Sequence, residues 1–173
     1  MMVSKAKVAL VLVPVALLSL FVAGFLMAPI SADPILNASV GDRYAISTVV
    51  GEAKARINGE EVSVPASVEL LCEVSEVHGN WIFFRIVYGT VKINETVYAI
   101  TSDWWVGAYY KVLRNATYEG RGEGEGGTLY FILRSRDRRP THEGCFLKIW
   151  GTARDPEGVY WSLDVKAYRT KVD

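Results

Sequence analysis

From residue 43 onward the chain alternates apolar and polar positions with a period of two, and nearly every such run ends on a turn signal, which predicts β-strands. The clearest run is 159–169. It puts Val159, Trp161, Leu163, Val165 and Ala167 on one face and Tyr160, Ser162, Asp164, Lys166 and Tyr168 on the other. Residues 67–77 set Val68, Leu70, Cys72 and Val74 against Glu69, Leu71, Glu73 and Ser75. Residues 145–153 set Cys145, Leu147 and Ile149 against Phe146, Lys148 and Trp150. Further strands are predicted over 43–57, 60–64, 81–93, 96–101, 105–119 and 128–136, the fifth of these alternating Ala108 and Tyr110 with Gly107 and Tyr109.

Turn chemistry punctuates these runs. Asn58-Gly59 is the strongest hairpin signal, because both residues accept the positive φ of a type I′ turn. Residues 78–80, 94–95 and 155–158 also read as turns, Pro65 as an interruption, 120–127 as a flexible glycine-rich loop, and 134–141 as a basic loop. The expected fold is all-β, with eight or nine mostly antiparallel strands in a β-sandwich or a closed barrel.

The N-terminus follows a different pattern. Residues 8–32 carry no charge, and Lys5 and Lys7 precede them. About 20 apolar residues span a bilayer as a helix, and flanking lysines favour a cytoplasmic N-terminus. The first reading is one transmembrane anchor, with residues 8–30 in the membrane and the β domain outside. The second is a cleaved leader ending at Ile30-Ser31-Ala32, which releases a secreted protein; against it, signal-peptide cores usually run only ~7–15 residues. The Lys5-Ala6 step is similar to the cut site of pilin-type leaders, although Lys7 departs from the apolar or acidic residue they place next. The chain thus divides into an anchor or signal segment (1–32), a tether (33–42) and an extracytoplasmic β domain (43–173).

Export fits two further features. Three of the five asparagines open N-x-S/T sequons, Asn37, Asn94 and Asn115, where ordinary usage gives roughly one in eight. They are the candidate glycosylation sites. The two cysteines, Cys72 and Cys145, are expected to form one disulfide in an oxidising space. His78 and His142 lie near them in sequence, but Cys72 and His78 are too far apart along one strand to share a metal ion.

Charge removes one class of partner. Without Lys5 and Lys7, 17 of the 19 basic residues face 19 acidic ones, a net −2, so nothing pulls the domain toward nucleic acid. Candidate chemistry is sparse. Gly122, Gly124 and Gly127 match G-x-G-x-x-G, yet a strand rather than a helix follows, and Glu123 and Glu125 repel phosphate. Glu119, Glu123 and Glu125 lack calcium-loop spacing. Arg134, Arg136, Arg138 and Arg139 form one basic cluster, which reads as a solvated loop. No hydrolase motif is present, and no cofactor or metal is expected. Adjacent aromatics are the strongest lead, because a pair on a strand puts one ring on each face; Trp104, Trp105, Tyr109 and Tyr160 are the candidate binding residues. The expected function is non-enzymatic binding of a protein or glycan partner on an outer β face. A structural subunit of an envelope layer or filament, and a hydrolase of envelope polymers, are the alternatives.

Overall fold

The computed structural model describes residues 33–100, 105–141 and 143–172, with backbone alone given at 105 and 106. Its strands are β1 (Arg43–Ile57), β2 (Glu60–His78), β3 (Trp81–Ile93), β4 (Thr96–Ile100), β5 (Trp105–Tyr110), β6 (Asn115–Gly124), β7 (Gly127–Pro140), β8 (Gly144–Arg154) and β9 (Tyr160–Val172). Every pairing is antiparallel.

The sheet closes on itself. β1 pairs with both β2 and β9, and pairing continues without a break from β2 to β3 and from β6 through β9. The remaining place in the wall is shared. β4 bridges β3 to β6 toward one end, and β5 bridges the same two strands toward the other. The result is an up-and-down barrel with eight places around its wall, a circumference whose interior side chains just fill. Of the two architectures left open by the sequence, the closed barrel is the one formed.

The inward faces make one core. Val68, Leu70, Cys72, Val74, Leu147, Ile149, Leu163 and Val165 are all buried, on the parities the alternation predicts. Outward positions are mixed, with Lys54, Arg134, Arg136 and Lys166 standing among exposed Val50, Tyr88, Tyr130 and Ile132. Register shifts in β1 lie between Ile46 and Glu52 on the β2 side and between Thr48 and Val50 on the β9 side. There the Thr48 hydroxyl stands in for a backbone partner. It donates to Val68 O at 2.9 Å and accepts from Val68 N at 2.7 Å. Such bulges bend a strand and let a sheet curl shut.

Turn chemistry holds where positive φ is required: Asn58 has φ 53° and Gly59 φ 88°. Five expectations change. The run 105–119, expected as one strand, folds back at residues 111–114 into the antiparallel pair β5 and β6, with Arg114 at φ 50°. Pro65 does not interrupt β2; it pairs with Glu52, next to Ala66, where pairing with β3 begins. The glycine-rich stretch is not a loop. β6 runs to Gly124 and turns only at Glu125-Gly126. A Cβ at Gly124 would lie 2.8 Å from Tyr98 Cδ1 and 2.9 Å from Val97 O, so glycine lets β6 pass close beneath the Tyr98 ring. The basic stretch is also strand, with Arg134 and Arg136 outward and Ser135 inward between them. Finally, 33–42 is not a free tether. Pro34–Asn37 forms a 3-10 turn whose Ile35 is buried, and Tyr44 donates to Pro34 O at 3.2 Å. The anchor expected over residues 8–30 lies outside the described residues; among those described, no helix is long and apolar enough to cross a membrane.

The Gly124 packing is testable. Gly124→Ala forces the ring or the carbonyl to move and is expected to cost about 1–3 kcal/mol in urea denaturation. Gly126→Ala, with open space around it, should stay within about 0.5 kcal/mol of wild type. Equal losses in the two variants would refute the packing account.

Candidate functional site

The barrel has two unlike ends. At the open end, hairpin turns at 94–95, 125–126 and 155–158, with Val62 and Val64 of β2, surround a cleft of about 990 Å³. Its floor is apolar, built from Ile93, Tyr98 and Trp161. Its rim carries Glu95, Glu125, Asp155 and Glu157, and none of its lining residues is Lys or Arg. Asp155 is engaged: its carboxylate accepts from Val159 N at 2.9 Å and from Trp161 Nε1 at 2.8 Å, fixing the turn and the indole together. Glu95, Glu125 and Glu157 are exposed and make no ion pair among the described residues. Burial, then the carboxylates of Asp155 and Glu157, raise the Tyr98 phenol above its ordinary pKa.

The other end is sealed by a buried ion cluster. Arg169 forks onto Asp137, with Nη1–Oδ1 and Nη2–Oδ2 both at 3.2 Å, and its Nη2 also donates to Asp33 Oδ2 at 2.7 Å. All three side chains are 1–2% exposed. Tyr109 donates to Asp137 Oδ2 at 2.7 Å, and the guanidinium carbon lies 5.2 Å from its ring centroid. Burial raises the Asp137 pKa despite the opposing pull of Arg169, and it raises the Tyr109 pKa as well. The two carboxylates hold Arg169 protonated against its own desolvation. Asp33, Asp137 and the Cys145 thiol offer ligand atoms within 4.8 Å of one another. The Arg169 guanidinium, paired to both carboxylates, already holds the place a cation would take.

The predicted residues distribute as follows. Tyr109 is fully buried, so its expected role as an exposed ring is corrected: Gly107 and Tyr109 take the inward parity of β5. Tyr160 is 66% exposed, with the Arg154 guanidinium 5.6 Å from its ring centroid. Trp104 lies outside the described residues, and Trp105 is described only as backbone paired with Arg85. Asn37 and Asn94 are exposed and Asn115 is half-buried on the outer face.

The expected disulfide is absent: Cys72 and Cys145 are free, buried thiols. Cys72 is on β2 and Cys145 on β8, with β1 and β9 between them. That is three inter-strand steps, about 14 Å along the wall, whereas bridged Cα atoms lie within about 7 Å. Shared inward parity was therefore not enough to bring them together. Burial pushes both thiols up to about 12. His142 is outside the described residues, and a register shift between Val74 and Glu76 turns His78 outward, onto Glu76 Oε2 at 2.8 Å.

The ion cluster was missed, although its signal was present. The inward series of β9 ends Val165, Ala167, Arg169, and that of β7 runs Leu133, Ser135 and on to Asp137. Extending both alternations by one step puts a base and an acid inside the same end. No family model, curated protein or solved structure matches the chain.

Two outcomes follow. Arg169→Met leaves two buried carboxylates without a cation and should cost about 3–5 kcal/mol in chemical denaturation at neutral pH. A carboxyl whose folded pKa is raised favours the fold most below its unfolded pKa, and that advantage is lost as pH rises. The deficit of the variant should therefore shrink near pH 4 and widen above it; a pH-independent deficit contradicts the assignment. Separately, a thiol reagent should find no reactive cysteine in native protein and two after unfolding without reductant. A disulfide would give none in either state.

Proposed function

We propose that this chain is a membrane-anchored, extracytoplasmic barrel that binds a partner at its open mouth without catalysing a reaction on it. The observation that carries the reading is the mouth itself: a concave apolar floor ringed by carboxylates with no cation in its lining. Mouths of β-barrels are recurrent binding sites. The charge selects the ligand. Glu95, Glu125 and Glu157 stand on three different hairpins, so their fields converge on the cleft and favour a basic segment of a partner protein. Apolar portions of that segment then cover Ile93, Tyr98 and Trp161.

Placement outside the cell is supported by the uncharged run at 8–30 behind Lys5 and Lys7. It is supported also by the sequon asparagines, of which Asn37 and Asn94 are exposed and Asn115 half-buried. Cleavage of the leader would release the same domain as a secreted binder. Filament assembly by strand addition draws less support, because the wall is closed and its strands are paired on both sides. For hydrolysis, the carboxylates of Asp33 and Asp137 are sealed and tied to Arg169.

The test is calorimetric titration of the full chain in nanodiscs with a tetralysine peptide, and with a neutral oligosaccharide as the comparison. Peptide binding that weakens with salt is expected, and Glu95→Gln/Glu125→Gln/Glu157→Gln should weaken it at least about tenfold. Undiminished binding by the triple variant, or binding of the oligosaccharide alone, would overturn the reading.

A further inference from the structure

The sealed end differs from the mouth in more than its plug. Lys111, Val112, Leu113 and Arg114 form the turn between β5 and β6, and its two apical residues, Val112 and Leu113, are 63% and 59% exposed. This turn is held at both ends. Lys111 N donates to Asn80 O at 2.9 Å, and Asp137 N donates to Arg114 O at 2.9 Å. Arg114 adopts φ 50°, a left-handed backbone that a side-chain-bearing residue rarely takes. Two aliphatic side chains are thus presented to solvent by a pinned turn.

Its surroundings repeat the theme. Trp81 opens β3 beside this turn, is 45% exposed and lies 4.6 Å, centroid to centroid, from Tyr110; Phe83 stacks on it at 6.4 Å. Val40, in the turn before β1, is 67% exposed. Lys111, Arg114, Arg138 and Arg139 belong to the same end and make no ion pair among the described residues. Most acidic groups there are engaged: Asp42 by Lys171, Glu73 by Arg43 and Arg85, and Asp33 and Asp137 by Arg169, while Glu76 shares a hydrogen bond with His78. Among the described residues at this end, Glu143 makes no ion pair.

Apolar tips, an aromatic pair and unneutralised cations on one surface are the composition that sits in the headgroup zone of a bilayer. Chain connectivity points the same way. Asp33 is locked into this end by Arg169, and it follows Ile30 by three residues. An extended chain covers at most ~3.5 Å per residue, so an apolar run inserted up to Ile30 leaves Asp33 within about 10 Å of the lipid.

We infer that the sealed end of the barrel is a lipid-contacting surface. The Lys111–Arg114 turn enters the interfacial zone, with Trp81 and Tyr110 at headgroup level and the four free cations on anionic headgroups. This rests on the anchor reading above. It adds that the domain stands on the membrane end-on, with the acidic mouth directed away.

The test uses the full chain reconstituted in vesicles of mixed phosphatidylcholine and phosphatidylglycerol, and in phosphatidylcholine alone. An environment-sensitive NBD label is placed at Leu113→Cys, or at Gly126→Cys on the mouth; the native thiols are buried. At 113 the emission should shift to the blue and be quenched by shallow nitroxide lipid at least about threefold more strongly than at 126. The difference should diminish in phosphatidylcholine alone, and in Lys111→Glu/Arg114→Glu. Equal, aqueous signals in vesicles that retain the chain would overturn the inference and leave the anchor standing. A blue shift without lipid quenching would assign the surface to a protein, a second copy included, and also overturn it. A chain that does not float with vesicles would remove both readings.

Discussion

One guanidinium ties together the parts of this molecule that define its ends. Arg169 projects inward from β9 and meets Asp137 of β7, Asp33 of the N-terminal turn, and the ring of Tyr109 from β5. Buried ion pairs add little net stability over apolar packing of the same volume, because desolvation consumes most of the Coulombic gain. Their strength is selectivity: once one partner is inside, the others must be present. Here the selectivity falls on the N-terminal segment. Asp33 supplies the second carboxylate, so the fold is complete only when residues 33–38 close over the barrel end. Arg169 Nε has no hydrogen-bond partner among the described residues.

That plug makes a barrel with a direction. The closed wall has no preferred end of its own, since antiparallel strands contribute hairpins to both. The N-terminal turn breaks this equivalence. One end is filled, flanked by exposed Val112, Leu113 and Trp81 and by unneutralised cations; the other stays concave and acidic. Under the proposed reading one end meets lipid and the other a basic segment, with the barrel axis between them. Between the two ends the inward side chains form one buried core.

The strand pattern was readable in unusual detail. The first strand was predicted at 43–57 and forms there, and the inward residues of 67–77, 145–153 and 159–167 are those the alternation selects. Period-two patterning reports which side of a sheet meets the core, and turn residues report where positive φ is needed; both are local, so a linear chain displays them. The glycine-rich and arginine-rich stretches misled because composition suggested loops. In the fold, the glycines admit the Tyr98 ring against the β6 backbone, and the arginines occupy outward places on a continuing strand.

What linear order conceals is which positions meet around a closed wall. Cys72 and Cys145 share the inward parity yet have two strands between them, so no bond forms, whereas Asp33 and Arg169, 136 residues apart, are in contact. The same holds for the mouth, assembled from hairpins that are distant in the chain, and for Tyr109, whose ring could have faced either way until closure chose its side. Alternation and turn chemistry specify strands and their faces because they depend on a few neighbouring residues. Partners, cavities and the polarity of the two ends depend on barrel closure, a property of all the strands at once.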